Sequence, residues 1–269
     1  MAKIITLAQG GGGVGKTTLA ASVVTELAQR GKRVLAFDCD AQSQLGGFLG
    51  GKSGNAMKRW LNSIEYKRGI RGDDSIDFDP IDRYTTSLRF GLDLVASDEG
   101  LKNIAAKLDS QLPITIMRSI LPVIGEQFGY DYIVVDAKPG DALAEMMWLA
   151  ADTILVPAPV VSVDMAKLEN FITLLSTTFA VARIEQLPRR IVVANKLDAR
   201  FVESANNWAD LKESLEGSDW EVFSQPLPAT AIISKAFAEH VSPMEYESSL
   251  DTAVRFKIAV RALVDEVTK

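Results

Sequence analysis

The chain has 269 residues, a formal net charge of −6 and a sequence pI near 5.0. That length suits one large α/β domain or two small ones and can bury a substantial core, and the acidic balance excludes a globally basic nucleic-acid binder while allowing a local basic patch. A single cysteine, Cys39, excludes a disulfide framework or a cysteine-held cluster within one chain, and a single histidine, His240, leaves zinc and Ser-His-Asp chemistry without ligands. The opening MAKIITLAQG lacks a charged segment followed by a long apolar core and cleavage site. No run approaches the roughly 18 apolar residues of a membrane-spanning helix. A soluble protein of a reducing compartment is expected.

In chain order, KIITLA (3–8), RVLAFD (33–38), GLDLVA (91–96), DYIVVD (131–136), TILVPA (153–158) and RIVVAN (190–195) have the apolar runs of buried strands. Helical spacing occupies 16–30, 114–128 and 163–181 between them. Residues 50–90 form the least regular region, expected as a surface excursion carrying a short helix near AMKRWLNSI. The alternation predicts an α/β fold, a mostly parallel twisted sheet with helices on both faces, with 1–269 as a single domain.

The first strand runs into QGGGGVGKTT (9–18), which satisfies G-x-x-x-x-G-K-[ST] from Gly10 to Thr17 between a strand and a helix. That pattern is a phosphate loop of the P-loop NTPase fold. Gly11, Gly12, Gly13, Val14 and Gly15 offer backbone N–H groups, with Thr18 just inside the helix. The helix start adds its positive dipole end. Lys16 is placed to reach the β/γ-phosphates and Thr17 to ligate Mg2+. FDCDAQ (37–42) ends its strand with Asp38 and Asp40 on one side, a pair suited to a metal shell and to orienting a water. YDYIVVDAKPG (130–140) delivers Asp136, the Walker B carboxylate that holds Mg2+ through water.

These segments, with LDLVASDEGL, ADTILVPAPVVSVDMAKLENF and a closing QPLPATAIISKAFAEHVSPMEYESSL, resemble the ParA/MinD family of deviant-Walker P-loop ATPases over nearly the whole chain. The resemblance implies an ATP-dependent homodimer that sandwiches two nucleotides, with Mg2+ as metal. It implies binding to DNA without sequence preference, and a ParB-like or adaptor protein that stimulates slow hydrolysis. The cargo would be a plasmid, a chromosome locus or a protein assembly, and the protein cytoplasmic, nucleoid-associated when ATP-bound.

The chain departs from the family pattern twice. The family loop reads K-G-G-x-G-K-[ST], and its first lysine reaches across the dimer, but Gly11 stands in that place here. Some carboxysome-positioning relatives also lack this lysine. After Asp136 the family usually has D-x-P-P-G, whereas this chain has Lys138, a second candidate catalytic cation that would supply the missing charge; an ordinary solvated lysine is the alternative.

VVANKLDAR (192–200) matches N-K-x-D, the guanine-reading pattern, through Asn195, Lys196 and Asp198. The family resemblance instead assigns Asn195 to adenine, with Pro228 on the second base-contacting loop. Residues 249–268 form an expected helix whose apolar face is Phe256, Val260, Leu263, Val264 and Val267. Four basic and three acidic side chains in 251–269 attract anionic lipid only weakly, so core packing is favoured over a membrane contact. Lys235, Arg255, Lys257 and Arg261 are candidate DNA contacts. Two other readings stay open: an ATP-binding assembly module whose hydrolysis went with Gly11, and a membrane-cycling regulator of the MinD type.

Overall fold

Alternation along the strands decides which way each side chain faces. In β1 (Lys3–Leu7), Ile5 and Leu7 join the apolar cluster on one face of the sheet, and Ile4 joins the cluster on the other. In β2 (Val34–Cys39), Val34 and Ala36 take the first face while Leu35, Phe37 and Cys39 take the second. Both faces are therefore apolar, and both must be covered by helices.

The computed structural model describes every residue except 70–72, 105–107, 109, 139, 161–164, 199 and 201, and omits the side chains of 165–167 and 202–204. The elements introduced next are α1 (Lys16–Gln29), α2 (Gln44–Leu49), α3 (Ala56–Ser63), β3 (Glu65–Lys67), β4 (Ser75–Asp77), β5 (Thr86–Ser87) and β6 (Leu92–Val95). Then come α4 (Ile116–Phe128), β7 (Tyr132–Ala137), α5 (Ala142–Ala150), β8 (Thr153–Pro159), α6 (Met165–Val181) and β9 (Arg189–Asn195). The chain closes with α7 (Val202–Leu215), β10 (Glu221–Val222), α8 (Ile232–Ala238) and α9 (Asp251–Val267). Among the described residues one eight-stranded sheet has the order β10-β9-β8-β1-β7-β2-β6-β5, parallel except where β5 pairs antiparallel with β6. The expected α/β class, its six strands and three long helices are all present, within a few residues at their ends. The expected start of the third helix, at 163, lies outside the described residues.

From β1 the chain moves one way across the sheet to β2, and from β8 it moves the other way to β9. The crevice at the C-terminal ends of β1 and β8 is thus a topological switch point, where open α/β sheets bind ligands. Helices α1 and α9 cover one face, where Val23, Leu27, Phe256, Val260, Leu263, Val264 and Val267 are buried. The predicted apolar face of 249–268 is accordingly core. Helices α3 to α6 cover the other face with Trp60, Ile120, Met147, Trp148 and Phe171.

One expectation is corrected. The segment 50–90 is not merely a surface excursion, because Met57, Trp60 and Ile81 are fully buried and Trp60 packs on Phe37 at 5.3 Å between ring centroids. Its chain also contributes the edge strand β5 and the separate β3–β4 hairpin. The many charged and polar residues around these few anchors hid them from a reading by composition. Trp60→Ala should therefore cost about 3–5 kcal/mol, the range for truncating a large core aromatic, and lower the urea midpoint without changing its slope. A loss within about 0.5 kcal/mol would return this segment to the surface.

Candidate functional site

The segment between β1 and α1 turns on two glycines in the left-handed region, Gly13 at φ +69° and Gly15 at φ +101°. An L side chain adopts that region at a cost of roughly 1–2 kcal/mol. At Gly15 a Cβ would also stand 2.2 Å from Asn195 Nδ2, so no larger residue fits. Gly12 and Gly13 border open space, since a Cβ on either would meet nothing within 4 Å. Gly11 is tighter: its Cβ would stand 2.9 Å from Val14 Cγ1. Within the run from Gly10 to Gly13, only Gly13 has a positive φ.

Lys16 folds back over this loop. Its Nζ donates to the carbonyls of Gln9 at 3.1 Å and Gly11 at 3.0 Å, while Gly11 N donates to Gln9 Oε1 at 3.1 Å. Burial lowers the Lys16 pKa, opposed by the nearby charges of Asp136 and Asp40, and the charge of Lys138 lowers it further. Lys138 itself is exposed and also acts on Asp141, the N-cap of α5. The structure thus brings Lys138 within electrostatic reach of the loop lysine. Pro139, the next residue of that departure, lies outside the described residues.

Parallel register sets Asp136 beside Leu7 on one side and Asp38 on the other. Asp136 is buried, its Oδ2 has no hydrogen-bond partner, and burial pushes its pKa up to about 6 against the bond from Thr17 and the charge of Lys16. Asp38 is buried too, and burial together with the Asp136 charge raises it to about 7. Its oxygens accept from Asp40 N and Gly46 N, each at 3.2 Å, so it organises the turn into α2. Asp40 is half-exposed, and its Oδ1 accepts from Gln42 N at 3.0 Å. Among the described residues no group of three or more His, Cys, Asp or Glu could hold a metal alone. A divalent ion here would need oxygens from phosphate and water, as Mg2+ commonly does.

Beside the loop opens a cavity of about 600 Å3, lined by Gly12, Gly13, Gly15, Thr18, Asn195 and Pro228, with Pro159, Ile233 and Phe256 as apolar walls. That volume and lining suit a small organic ligand next to an anion cradle. Asn195 and Pro228 both line this cavity. Pairing of Leu197 with Pro228 holds the second loop there. Asp198 does not line this cavity. It binds Arg200 at 2.6 and 2.9 Å and lines a neighbouring one, so the third member of a guanine-reading set is turned elsewhere. Lys196 was not a predicted site residue, yet its Nζ lies 2.5 Å from the Gly13 carbonyl. The N-K-x-D match was the available signal, though for a different task.

The four candidate DNA cations differ in their surroundings. Lys235 and Arg255 are exposed, Arg255 pairing with Asp251 at 2.9 Å. Lys257 is half-buried and donates to the Tyr246 carbonyl at 2.8 Å. Arg261 faces Glu26 at 3.6 Å. Burial and then the charge of Arg261 lower the Lys257 pKa. No helix among the described residues is long and apolar enough to cross a membrane.

Because Asp136 titrates near 6 when folded, against an ordinary 3.8, the folded chain holds a proton between those values that the unfolded chain has lost. Its contribution to stability is full below that window and falls as pH rises through it. In metal-free protein Asp136→Asn should therefore raise stability at pH 8 by about 1–3 kcal/mol, with the gain fading towards pH 5. Thermal unfolding in EDTA across pH checks this. A variant less stable than the parent at pH 8 would show that the ionised carboxylate has a compensating partner.

Comparison with known proteins follows this geometry. The CobQ/CobB/MinD/ParA nucleotide binding domain matches residues 5–244. The maintenance of carboxysome distribution protein A of Synechococcus elongatus is 33% identical over 156 residues, 57% of each chain. The sporulation initiation inhibitor protein Soj of Bacillus subtilis is 29% identical over 208 residues, 74% of this chain and 75% of Soj. Among solved structures, cobyrinic acid a,c-diamide synthase from Mycobacterium smegmatis with bound ATP analogue and magnesium aligns at a TM-score of 0.76 and 20% identity, covering 100% of this chain and 95% of that one. The chain spans about half the length of several curated relatives it matches, from 44% to 57%. With the phosphate loop, the paired carboxylates and the sheet order in register, the match over 5–244 places this chain in the CobQ/CobB/MinD/ParA nucleotide-binding family.

Proposed function

We propose that the chain is a ParA-like ATPase, which dimerises with ATP and Mg2+ bound, holds DNA without sequence preference, and positions a cargo through partner-stimulated hydrolysis. The observation that carries this reading is the unpartnered, buried Asp136 oxygen beside Lys16 and an open glycine cradle. A buried carboxylate oxygen with no internal partner is costly unless a cation is to meet it. The names of the carboxysome-distribution and partitioning relatives support the cargo-positioning part.

Bound nucleotide would supply the scissile anhydride, and Mg2+ the Lewis acidity. Backbone N–H groups from Gly11 to Thr18 donate towards phosphate, and Lys16 exchanges the carbonyls of Gln9 and Gly11 for phosphate oxygens. Thr17 and Asp136 hold the metal, the latter through water, with Asp38 in the outer shell. Asp40 orients the attacking water. Asn195 uses one amide N–H and one lone pair internally, to Val14 O and Lys196 N, which leaves its second of each for the base. Pro228 closes the base cavity. Lys138 supplies the charge absent at Gly11, whose loss otherwise favours a reading as an ATP-dependent assembly module without hydrolysis.

The homodimer, a ParB-like or adaptor partner, and nucleoid association inside the cytoplasm belong to the same proposal. Lys235, Arg255 and Arg261, all exposed, are the first DNA candidates, with half-buried Lys257 behind them. The apolar face of α9 is packed inside, which disfavours membrane cycling.

Base choice is tested by competition against labelled ADP: ATP should outcompete GTP by about tenfold or more, or about 1.4 kcal/mol. Equal or reversed preference would remove adenine selectivity. Lys138→Ala should leave ADP affinity nearly unchanged while reducing ATP-dependent dimerisation and turnover, and Gly11→Lys should partly restore both. Strict additivity in that double-mutant cycle would return Lys138 to an ordinary surface role. For DNA, replacing Lys235 and Arg255 with alanine should weaken ATP-dependent duplex binding and flatten its salt dependence.

A further inference from the structure

The last residue of β9 and the residue after it grip the phosphate loop at two successive points. Asn195 Nδ2 donates to Val14 O at 2.8 Å, and Lys196 Nζ donates to Gly13 O at 2.5 Å. Lys196 achieves this from a left-handed backbone, φ +58°, whose N–H is held by Asn195 Oδ1 at 2.9 Å. Immediately after it, Leu197 N donates to Leu227 O at 3.0 Å and Ala229 N to Leu197 O at 2.8 Å. The grip is therefore mounted on a braced segment rather than on a free loop.

A trans peptide points its C=O and its N–H in opposite directions. Drawing the Gly13 carbonyl towards Lys196 turns the Val14 N–H away from it. Drawing the Val14 carbonyl towards Asn195 does the same for the Gly15 N–H. These two N–H groups belong to the segment that faces an anion. Without the grip, a run containing Gly10, Gly11, Gly12, Gly13 and Gly15 has many peptide orientations of similar energy. Lys16 holds only the carbonyls of Gln9 and Gly11, at the other end of the loop.

We infer that Lys196 is a positioning residue of the phosphate loop, forming with Asn195 a two-point latch that sets the peptide planes of 13–15 for a polyphosphate, and that Lys196 takes no part in choosing the base. The inference rests on the nucleotide-binding reading for its ligand, but the latch is a property of the protein alone. Base choice by Lys196 would call for Asp198 beside it, and Asp198 is bound to Arg200. A residue acting on the loop affects every nucleotide equally, whereas a base reader changes one against another.

The test uses the full chain. In nucleotide-free protein, 15N order parameters of Gly13, Val14 and Gly15 should lie near 0.85 and fall below about 0.6 in Lys196→Ala. Titration with ADP and with GDP, each with Mg2+, should show both affinities reduced by about tenfold, their ratio unchanged, and most of the loss recovered in Lys196→Arg. Order parameters and affinities unaltered in Lys196→Ala would overturn the inference, as would a changed ADP-to-GDP ratio. If the parent protein bound neither nucleotide, the functional reading would fall, while the order parameters would still decide the latch.

Discussion

Asp136 sits between Leu7 and Asp38 because β7 is inserted between β1 and β2, and the parallel register lines up their C-terminal ends. That insertion governs the site. It places a buried carboxylate at the mouth of the phosphate loop and brings Asp38 close enough for the Asp136 charge to disfavour its ionisation. A fold under selection for stability alone would replace Asp136 with an uncharged residue, since burying an unpartnered polar oxygen costs of order 1–3 kcal/mol. Its retention makes sense when something cationic is to occupy the mouth.

The same placement explains the behaviour of Lys16. In the absence of an anion its ammonium is satisfied by two loop carbonyls and drawn by Asp136 and Asp40. The loop is thus held at both ends, by Lys16 near Gly11 and by Asn195 and Lys196 near Gly13 and Val14. Between those ends Gly12 and Gly13 face open space. A glycine run that would otherwise be a floppy turn becomes a cradle because its carbonyls are held by neighbouring donors. Preorganised donors of this kind matter more than their number, since they need not reorient when charge arrives.

Much of this was legible in the sequence. Strands buried on both faces carry unbroken apolar runs, so β1, β2, β7, β8 and β9 declared themselves, and the motif from Gly10 to Thr17 has a spacing that few other structures require. Met57 and Trp60 stand at helical spacing on the short expected helix, but two turns of helix do not show whether that face meets the core or solvent, and Ile81 stands alone in an acidic stretch with no period at all. Edge strands of two residues, β5 and β10, lack a period for the same reason. Charge was the least readable quantity. Lys257 and Arg261 share an exposed-looking pattern with Arg255, yet one turns to a backbone carbonyl and the other to Glu26 on α1, choices made by residues more than ten positions away. The N-K-x-D string divides: Asn195 and Lys196 contact the phosphate loop, while Asp198 pairs with Arg200.

Gly11 and Lys138 are joined by the same electrostatics. A lysine at position 11 would add a second cation beside Lys16, which already holds the Gly11 carbonyl and is already discouraged from ionising by burial. Lys138, on the loop after Asp136, is exposed instead, and on the proposed reading it would carry that charge. Its repulsion with Lys16 is then mild in the free protein and is cancelled by any polyanion placed between them. On the proposed reading, a loop of glycines with a distant lysine would answer the same constraint differently, since two positive charges around one anion are easier to keep apart than to bury together.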